Sequence, residues 1–206
     1  MPAATGTDVI RVDDVTVSTY RIPTDVPIES DGTYEWRATT LVLVEITGGG
    51  RTGIGYTYAD QGTATLIHEM LADVARGMDV MANGAIWAAL VAAVRNLGRP
   101  GIASMAISAV DTAIWDLKAR ILDTPLVSLL GGVRDSAPVY GSGGFTSYSM
   151  EQLRRQLHGW VASGIPRVKM KIGRDAHADV VRVEAARAAI GDDAELFVDA
   201  NGAYDR

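Results

Sequence analysis

The chain has 206 residues, a net charge of −6 and no cysteine, which excludes disulfide and thiolate chemistry. The charged residues form no basic stripe, so a nucleic-acid partner is not expected. The N-terminus has no basic region followed by an apolar run, and the longest apolar run, residues 85–94, is too short to span a bilayer. These features predict a cytoplasmic protein with no membrane partner.

The front of the chain reads as a small sheet. Residues 9–22, 39–46 and 53–58 are rich in Val, Thr and Ile, which is typical of strands. The glycines at 48–50 suit a hairpin connection, and residues 23–36 form a polar loop with two prolines. We therefore predict a three-stranded antiparallel meander.

Helices are predicted to follow the meander, at residues 63–78, 84–97 and 102–122. Asn83 is a plausible N-cap for the second helix. The first half of the third helix is small and apolar on nearly all sides, which indicates burial on several faces. Residues 1–125 are thus predicted to form an α+β domain.

From residue 138 the pattern becomes a repeat of strand and helix. Strands are predicted to begin at residues 138, 167 and 195, at nearly equal intervals, with helices at 150–163 and 176–190 between them. This is the size of one (β/α) barrel unit, whereas a whole barrel needs about 250 residues. We predict that residues 126–206 are the first part of a barrel with about three strands present; a smaller α/β sheet is the alternative.

Two lysines alternate with apolar residues in the second strand of this repeat. If Val168 and Met170 face the helices, Lys169 and Lys171 point to the inside of the barrel. There, like-charge repulsion and desolvation would lower the pKa of a lysine, and a lysine titrating near neutrality can act as a base. The simpler interpretation is a pair of surface lysines on an edge strand.

Asp199 and Asn201 come one repeat later, at the carboxyl end of a strand, where barrel enzymes place their chemistry. An aspartate at this position is often only a turn residue or helix cap. Facing two lysines, it also suits Mg²⁺, but one carboxylate is not enough, so we expect the other ligands beyond residue 206. The glycine-rich residues 141–144 lack a P-loop lysine and are expected to form a flexible loop.

The segment Lys169-Met170-Lys171 followed by Asp199-Ala200-Asn201 resembles the enolase superfamily, specifically its mandelate racemase/muconate lactonizing enzyme group. The run AIWDLKA at residues 113–119 and LLGG at 129–132 resemble the long helix of that group and its exit. Residues 1–125 resemble its capping domain and residues 126–206 the start of its barrel. The motif pair is fairly specific for the superfamily and weak for any one member.

The resemblance implies a mechanism in which a substrate carboxylate binds Mg²⁺ and a base removes the proton α to that carboxylate. Lys171 would be the base, and Lys169 would lower its pKa and hold the substrate carboxylate. Asp199 would be the first metal ligand, and Asn201 would orient the substrate or the metal's ligand shell. The reaction would be racemisation, epimerisation or dehydration of a hydroxy acid or sugar acid.

The resemblance also implies a homo-oligomer, and loops at residues 24–37 and 56–61 that close over the site and exclude water. Cycloisomerase and dipeptide-epimerase chemistry are alternatives within the superfamily. An alternative from another class is a Schiff-base lysine aldolase on the same barrel. A truncated fragment that only associates with other chains is the non-enzymatic alternative.

Overall fold

The computed structural model describes residues 9–205, which fall into two compact units. The first comprises residues 9–22 and 39–133, and the second comprises residues 23–38 and 134–205. The sequence predicts a domain boundary after residue 125, and that boundary stays a prediction. None of the helices in the described part of the chain has the length and apolarity that crossing a bilayer requires.

The strands and helices follow the chain in this order. The strands are β1 (Asp14–Pro23), β2 (Glu29–Ser30), β3 (Glu35–Trp36), β4 (Ala38–Gly48), β5 (Arg51–Tyr58), β6 (Gly141–Ser142), β7 (Arg167–Lys171) and β8 (Glu195–Asp199). The helices are α1 (Gln61–Leu66), α2 (Ala72–Ala75), α3 (Asn83–Ala93), α4 (Ile102–Ile121), α5 (Leu126–Leu129), α6 (Met150–Ala162) and α7 (Ala176–Ile190). A π-helical turn, Ile67–Leu71, joins α1 to α2.

The first unit is a three-stranded sheet, in the order β1-β4-β5, packed against helices. Strands β4 and β5 are antiparallel. The apolar residues of β4 alternate, so Val42, Val44 and Ile46 are fully buried in the core they share with α4. Helix α4 is buried on several sides, as its small apolar residues predict. The predicted α+β fold of antiparallel strands and helices is confirmed.

Some predicted element ends in this unit are wrong. Asn83 is not an N-cap: it is the first residue of α3, and no side chain caps that helix. Instead Asn83 is buried, and its side-chain nitrogen and oxygen have no hydrogen-bond partner within residues 9–205. Asp60, which the sequence analysis did not select, caps α1 by accepting from the Gly62 amide at 2.9 Å. A cap residue therefore cannot be identified from residue type alone when burial competes for the same side chain.

The second unit contains a parallel sheet in the order β6-β7-β8, with α6 and α7 on one face. Val168 and Met170 of β7 are fully buried against residues of these helices such as Leu157 and Ala186. Ser149 caps α6 by accepting from Gln152, and the predicted β-α alternation is confirmed from β6 onward. The repeat therefore places the carboxyl ends of three neighbouring strands at one edge of the sheet.

The glycine-rich residues 141–144, which we expected to form a flexible loop, begin with β6 and continue alongside β7. The Gly143 amide donates to the Lys169 carbonyl, and the Lys171 amide donates to the Gly144 carbonyl, each at 3.1 Å. Gly144 has a φ of +57°, and a Cβ at this position would lie 2.6 Å from the Cβ of Met170. Only a residue without a side chain fits here, so the segment is held tightly alongside β7.

We predict that Gly144→Ala destabilises the protein. The left-handed backbone costs an alanine about 1 kcal/mol or more, and the collision with Met170 adds about 1–3 kcal/mol. Gly164→Ala is the matched control, because Gly164 follows α6 with a φ of +92° but has open space around the Cβ position. Urea unfolding measures both variants. Equal losses of unfolding free energy would show that the contact with Met170 is unimportant.

Candidate functional site

The register of β7 and β8 brings the predicted site residues together. Lys171 lies opposite Asp199 in the parallel ladder, and Lys169 lies opposite Phe197. Lys171 Nζ is 2.7 Å from Asp199 Oδ2, and Lys169 Nζ is 3.2 Å from the same oxygen. Because strand residues alternate, both lysines lie on the face opposite the helices. The structure thus shows two amines from one strand meeting one carboxylate from the next.

Asn201 completes this network. Its main-chain N–H donates to Asp199 Oδ1 at 3.1 Å, and its side-chain oxygen accepts from Lys171 Nζ at 2.8 Å. Its φ is +48°, a left-handed conformation that asparagine tolerates better than most residues. Both oxygens of Asp199 therefore have partners, and Lys169, Lys171, Asp199 and Asn201 form one connected cluster. The catalytic, substrate and metal roles predicted for them stay predictions.

The electrostatics of the cluster correct one expectation. Hydrogen bonds from Lys171 and the Asn201 amide lower the pKa of Asp199, with burial opposing them. Burial acts to lower the pKa of Lys169, but the hydrogen bond and charge of Asp199 outweigh it, with help from Tyr140, and the pKa is raised. The expected lowering of the lysine pKa is therefore wrong for Lys169. The reason is the Asp199 carboxylate 3.2 Å away, a distance that the sequence does not show.

Two aromatic residues beside Lys169 were missed by the sequence analysis. Lys169 Nζ lies 5.3 Å from the centre of the Tyr140 ring, a cation–π arrangement. The Tyr140 and Phe197 rings meet edge to face, with centroids 5.9 Å apart. Tyr140 precedes Lys169 by about one repeat, as Phe197 follows it by one, so the spacing of the repeat contained a signal for both.

A short hairpin, β2 paired with β3, belongs to the second unit and was predicted only as a polar loop. Ser30, which is 3% exposed, fixes it to the chain that follows β6. The Ser30 carbonyl accepts from the Thr146 amide at 2.8 Å, and the Ser30 amide donates to Ser147 Oγ at 3.1 Å. Trp36 packs edge to face on Phe145, with ring centroids 5.3 Å apart. Polar and aromatic contacts therefore both anchor the hairpin.

The tip of this hairpin lies next to the carboxyl end of β7. A Cβ on Gly32 would be 3.1 Å from the Ile172 carbonyl oxygen, so the two backbones are in close contact. The Asp31 carboxylate accepts from Thr33 and from the Tyr34 amide. Burial acts to raise the pKa of Asp31, but these bonds and the charge of Lys171 outweigh it, and the pKa is lowered. The hairpin thus brings a second carboxylate into the field of Lys171.

The cluster fits one ligand of a magnesium ion, but not a whole ligand set. Mg²⁺ prefers an octahedron of oxygen donors, commonly carboxylates and water. Asp199 offers such oxygens at the strand end, and it is the only carboxylate among the four predicted site residues. Within residues 9–205, no three His, Cys, Asp or Glu side chains are close enough together to hold a metal ion.

Two family models match this chain and show which family it belongs to. The model for the mandelate racemase / muconate lactonizing enzyme N-terminal domain matches residues 9–131, and that for the enolase C-terminal domain-like fold matches residues 152–206. The chain belongs to the mandelate racemase/muconate lactonizing enzyme family. The resemblance noted from the lysine and aspartate motifs is therefore confirmed.

Two curated relatives of this chain are named for reactions of sugar acids. The 3,6-anhydro-alpha-L-galactonate cycloisomerase of Streptomyces coelicolor is 36% identical over 92% of this chain and 54% of its own. The L-talarate/galactarate dehydratase of Salmonella typhimurium is 33% identical over 95% of this chain and 52% of its own. The chain thus spans about half the length of the curated relatives it matches.

Solved structures agree in fold. A mandelate racemase/muconate lactonizing enzyme-like protein from Rubrobacter xylanophilus is 55% identical, with a TM-score of 0.92 over 95% of this chain and 54% of that one. The Salmonella typhimurium dehydratase, solved with Mg and L-lyxarohydroxamate, is 30% identical, with a TM-score of 0.88 over 99% of this chain and 56% of that one. Magnesium is thus present in structures of this family.

We predict that a hydrogen bond between Glu29 and Tyr148 holds the hairpin in place. Tyr148 Oη donates to Glu29 Oε1 at 2.9 Å. Burial and then this bond raise the pKa of Tyr148 to about 12. A double-mutant cycle of Glu29→Gln and Tyr148→Phe should give a coupling of about 1–2 kcal/mol in unfolding free energy at neutral pH.

The pH dependence of this coupling follows from the raised pKa. The stabilisation is fully present below the pKa of an unfolded tyrosine, about 10, and is lost as the pH rises through about 12. The coupling should therefore stay constant from neutral pH to pH 9. Tyr34→Phe, at an exposed tyrosine of the same hairpin, is the control and should change stability by less than about 0.5 kcal/mol. A coupling near zero would contradict the prediction.

Proposed function

We propose that this chain contributes the capping domain and the first part of the catalytic barrel of a Mg²⁺-dependent enzyme. The enzyme removes the proton α to the carboxylate of a sugar acid or related hydroxy acid, giving dehydration, racemisation or epimerisation. The observation that carries the proposal is the convergence of Lys169, Lys171 and Asp199 on one face of the sheet. Family membership and the sugar-acid relatives support the substrate class.

Each residue of the cluster has a chemical part in this proposal. Lys171 takes the α-proton, because its amine lies at the strand end and is oriented by hydrogen bonds to Asp199 and Asn201. Lys169 carries a positive charge that holds the substrate carboxylate. Asp199 and further ligands from the rest of the barrel would hold magnesium. The ion, when bound, supplies a Lewis acid that polarises that carboxylate.

Cycloisomerisation is the second candidate function. It begins with the same proton abstraction and differs in which bond breaks next. The Streptomyces coelicolor cycloisomerase, 36% identical, favours it. The cluster serves either outcome, because it handles the carboxylate and the α-proton and not the rest of the substrate. A dipeptide epimerase stays an alternative on the same reasoning.

The first test needs a chain with a complete barrel. Residues 1–206 are continued by the remaining part of the Rubrobacter xylanophilus protein, and loss of the α-proton signal, by exchange with solvent or by conversion to product, is followed by NMR in D₂O with Mg²⁺. Galactarate, L-talarate and 3,6-anhydro-L-galactonate are the probes. We predict loss of the α-proton signal of at least one of them, at a rate that falls roughly 10²–10⁴-fold in Lys171→Ala.

The matched control is Lys118→Arg, at a lysine of the first unit that donates to the Met81 carbonyl. It should leave the rate of α-proton loss unchanged, because the side chain keeps its charge and does not belong to the cluster. An undiminished rate in Lys171→Ala would overturn the assignment of the base. Retention of the α-proton by every sugar acid, with no product formed, would overturn the substrate class.

The second test concerns the 206-residue chain itself. We predict that calorimetric titration with Mg²⁺ shows no stoichiometric binding and that no probe undergoes α-proton exchange. The reason is that the cluster offers one carboxylate, Asp199, where a magnesium site needs several oxygen ligands. Stoichiometric binding together with exchange by this chain would contradict the prediction.

The Schiff-base aldolase is separated by borohydride trapping. Imine formation needs a neutral amine, and the raised pKa of Lys169 disfavours it at this residue. Borohydride added with 2-keto acids should therefore leave the mass of the peptide that contains Lys169 and Lys171 unchanged. A covalent adduct on this peptide would favour the aldolase.

A homo-oligomer and a cytoplasmic location also stay proposals, resting on the resemblance and on composition. Size-exclusion chromatography with light scattering tests the first, in Mg²⁺ and in a chelator. Heterogeneous association that is indifferent to Mg²⁺ would favour the fragment that only associates. A defined oligomer would favour the enzyme.

A further inference from the structure

Helix α7 carries two charged side chains that are almost completely buried. Asp179 is 5% exposed and Arg182 is 7% exposed. They are three residues apart and therefore lie on the same side of the helix. Burying a charge is costly unless it is hydrogen-bonded, so their partners show what these residues do.

Arg182 binds main-chain carbonyls of the segment that follows β6. Its Nη2 donates to the Gly144 carbonyl at 3.2 Å and to the Phe145 carbonyl at 2.9 Å, and its Nη1 donates to the Tyr148 carbonyl at 3.1 Å. The Gly144 carbonyl also accepts from the Lys171 amide at 3.1 Å. Arg182 and the main chain of Lys171 therefore share one acceptor.

Asp179 binds the chain on the other side of Lys171. Its Oδ2 accepts from the Gly173 amide at 2.6 Å, two residues beyond Lys171. The same oxygen accepts from Tyr204 Oη at 2.5 Å, shortly after Asn201. Asp179 thus ties the exit of β7 to the segment that follows β8, at the sheet edge where the cluster lies.

We propose that Arg182 and Asp179 are positioning residues for Lys171, holding its main chain from both sides. This proposal rests on the proposed function of Lys171 as the base. A lysine side chain has four rotatable bonds, so the position of its amine depends on a fixed main chain as well as on Asp199. A displacement of about 1 Å at a reacting group costs roughly 10²-fold in rate.

Arg187 provides a matched control for a purely structural role. It lies on the same helix, and its Nη1 also donates to main-chain carbonyls, those of Gly191 at 2.8 Å and Ala194 at 2.6 Å. These bonds are at the other end of α7, before β8 begins. Arg187→Met therefore removes the same kind of side chain and bond without touching the exit of β7.

The kinetic test compares Arg182→Met, Arg182→Lys and Arg187→Met in the chain with a complete barrel. We expect kcat to fall roughly 10²-fold in Arg182→Met with a smaller change in KM, because the base and not the binding surface is displaced. Arg182→Lys should recover part of the loss. Arg187→Met should melt at a lower temperature while kcat changes by less than about threefold. Equal falls of kcat in Arg182→Met and Arg187→Met would overturn the proposal.

A second readout does not depend on activity. Amide hydrogen exchange in the 206-residue chain should speed up at Lys171 in Arg182→Met and at Gly173 in Asp179→Ala, by about tenfold or more relative to Val168. Unchanged protection at both amides would overturn positioning even if activity fell. Loss of protection at these amides, together with inactivity of the chain with a complete barrel on every sugar acid, would support positioning while overturning the proposed function.

Tyr204→Phe keeps the proposal testable if the charged-residue variants do not fold. It removes one hydroxyl from a 47% exposed side chain and leaves the Gly173 bond of Asp179 in place. We expect a fall of kcat of a few fold with folding intact. Wild-type kcat in Tyr204→Phe would count against the role of Asp179 in tying the segment after β8 to the exit of β7.

Discussion

The ion pairs between the Asp199 carboxylate and the two lysines of β7 are the interaction on which the rest of the site depends. Two ammonium groups side by side on a partly buried strand face repel each other and lose hydration. Asp199 offsets both costs, because the parallel register places it beside Lys171 and within reach of Lys169. The fold therefore has to fix the register of β7 and β8 before the cluster can exist.

That register is fixed from the helix side of the sheet. Val168 and Met170 are fully buried against α6 and α7, and a slip of one residue would turn both lysines into that apolar layer. The main chain beyond β6 is held against β7 by hydrogen bonds and by the absence of a side chain at Gly144. One face of β7 thus contributes to the hydrophobic core, and the other face contributes the lysines of the charged cluster.

Asp179 and Arg182 of α7 are a second set of charged residues, and both are almost completely buried. Arg182 donates to main-chain carbonyls, and Asp179 accepts from the Gly173 amide and the Tyr204 hydroxyl, so the two side chains are bound to other segments rather than to each other. This arrangement makes the segments after three successive strands into one connected unit. The β2–β3 hairpin approaches the same edge from another side and adds the charge of Asp31. Relatives with different reactions, a dehydratase and a cycloisomerase among them, match this chain in sequence.

Local sequence was sufficient for those parts of the structure that depend on local rules. The alternation in β7 predicts its two faces, the nearly equal repeats predict a parallel sheet, and the spacing to Asp199 predicts a carboxylate near the lysines. Most helix and strand positions could also be predicted from the sequence, because periodicity and caps act over a few residues. A local rule failed at Asn83, where burial overrides the preference of the residue type.

Tertiary structure alone decided the features that join distant segments. Residue order does not reveal that Ser30 is fixed to Thr146, or that Arg182 shares an acceptor with Lys171. The direction of the pKa shift at Lys169 was likewise decided only by the tertiary structure. The sequence shows the neighbouring lysine of like charge, but only folding sets the 3.2 Å to Asp199. Electrostatic energy depends on distance and burial, and for residues far apart in the chain both are set by how the chain packs.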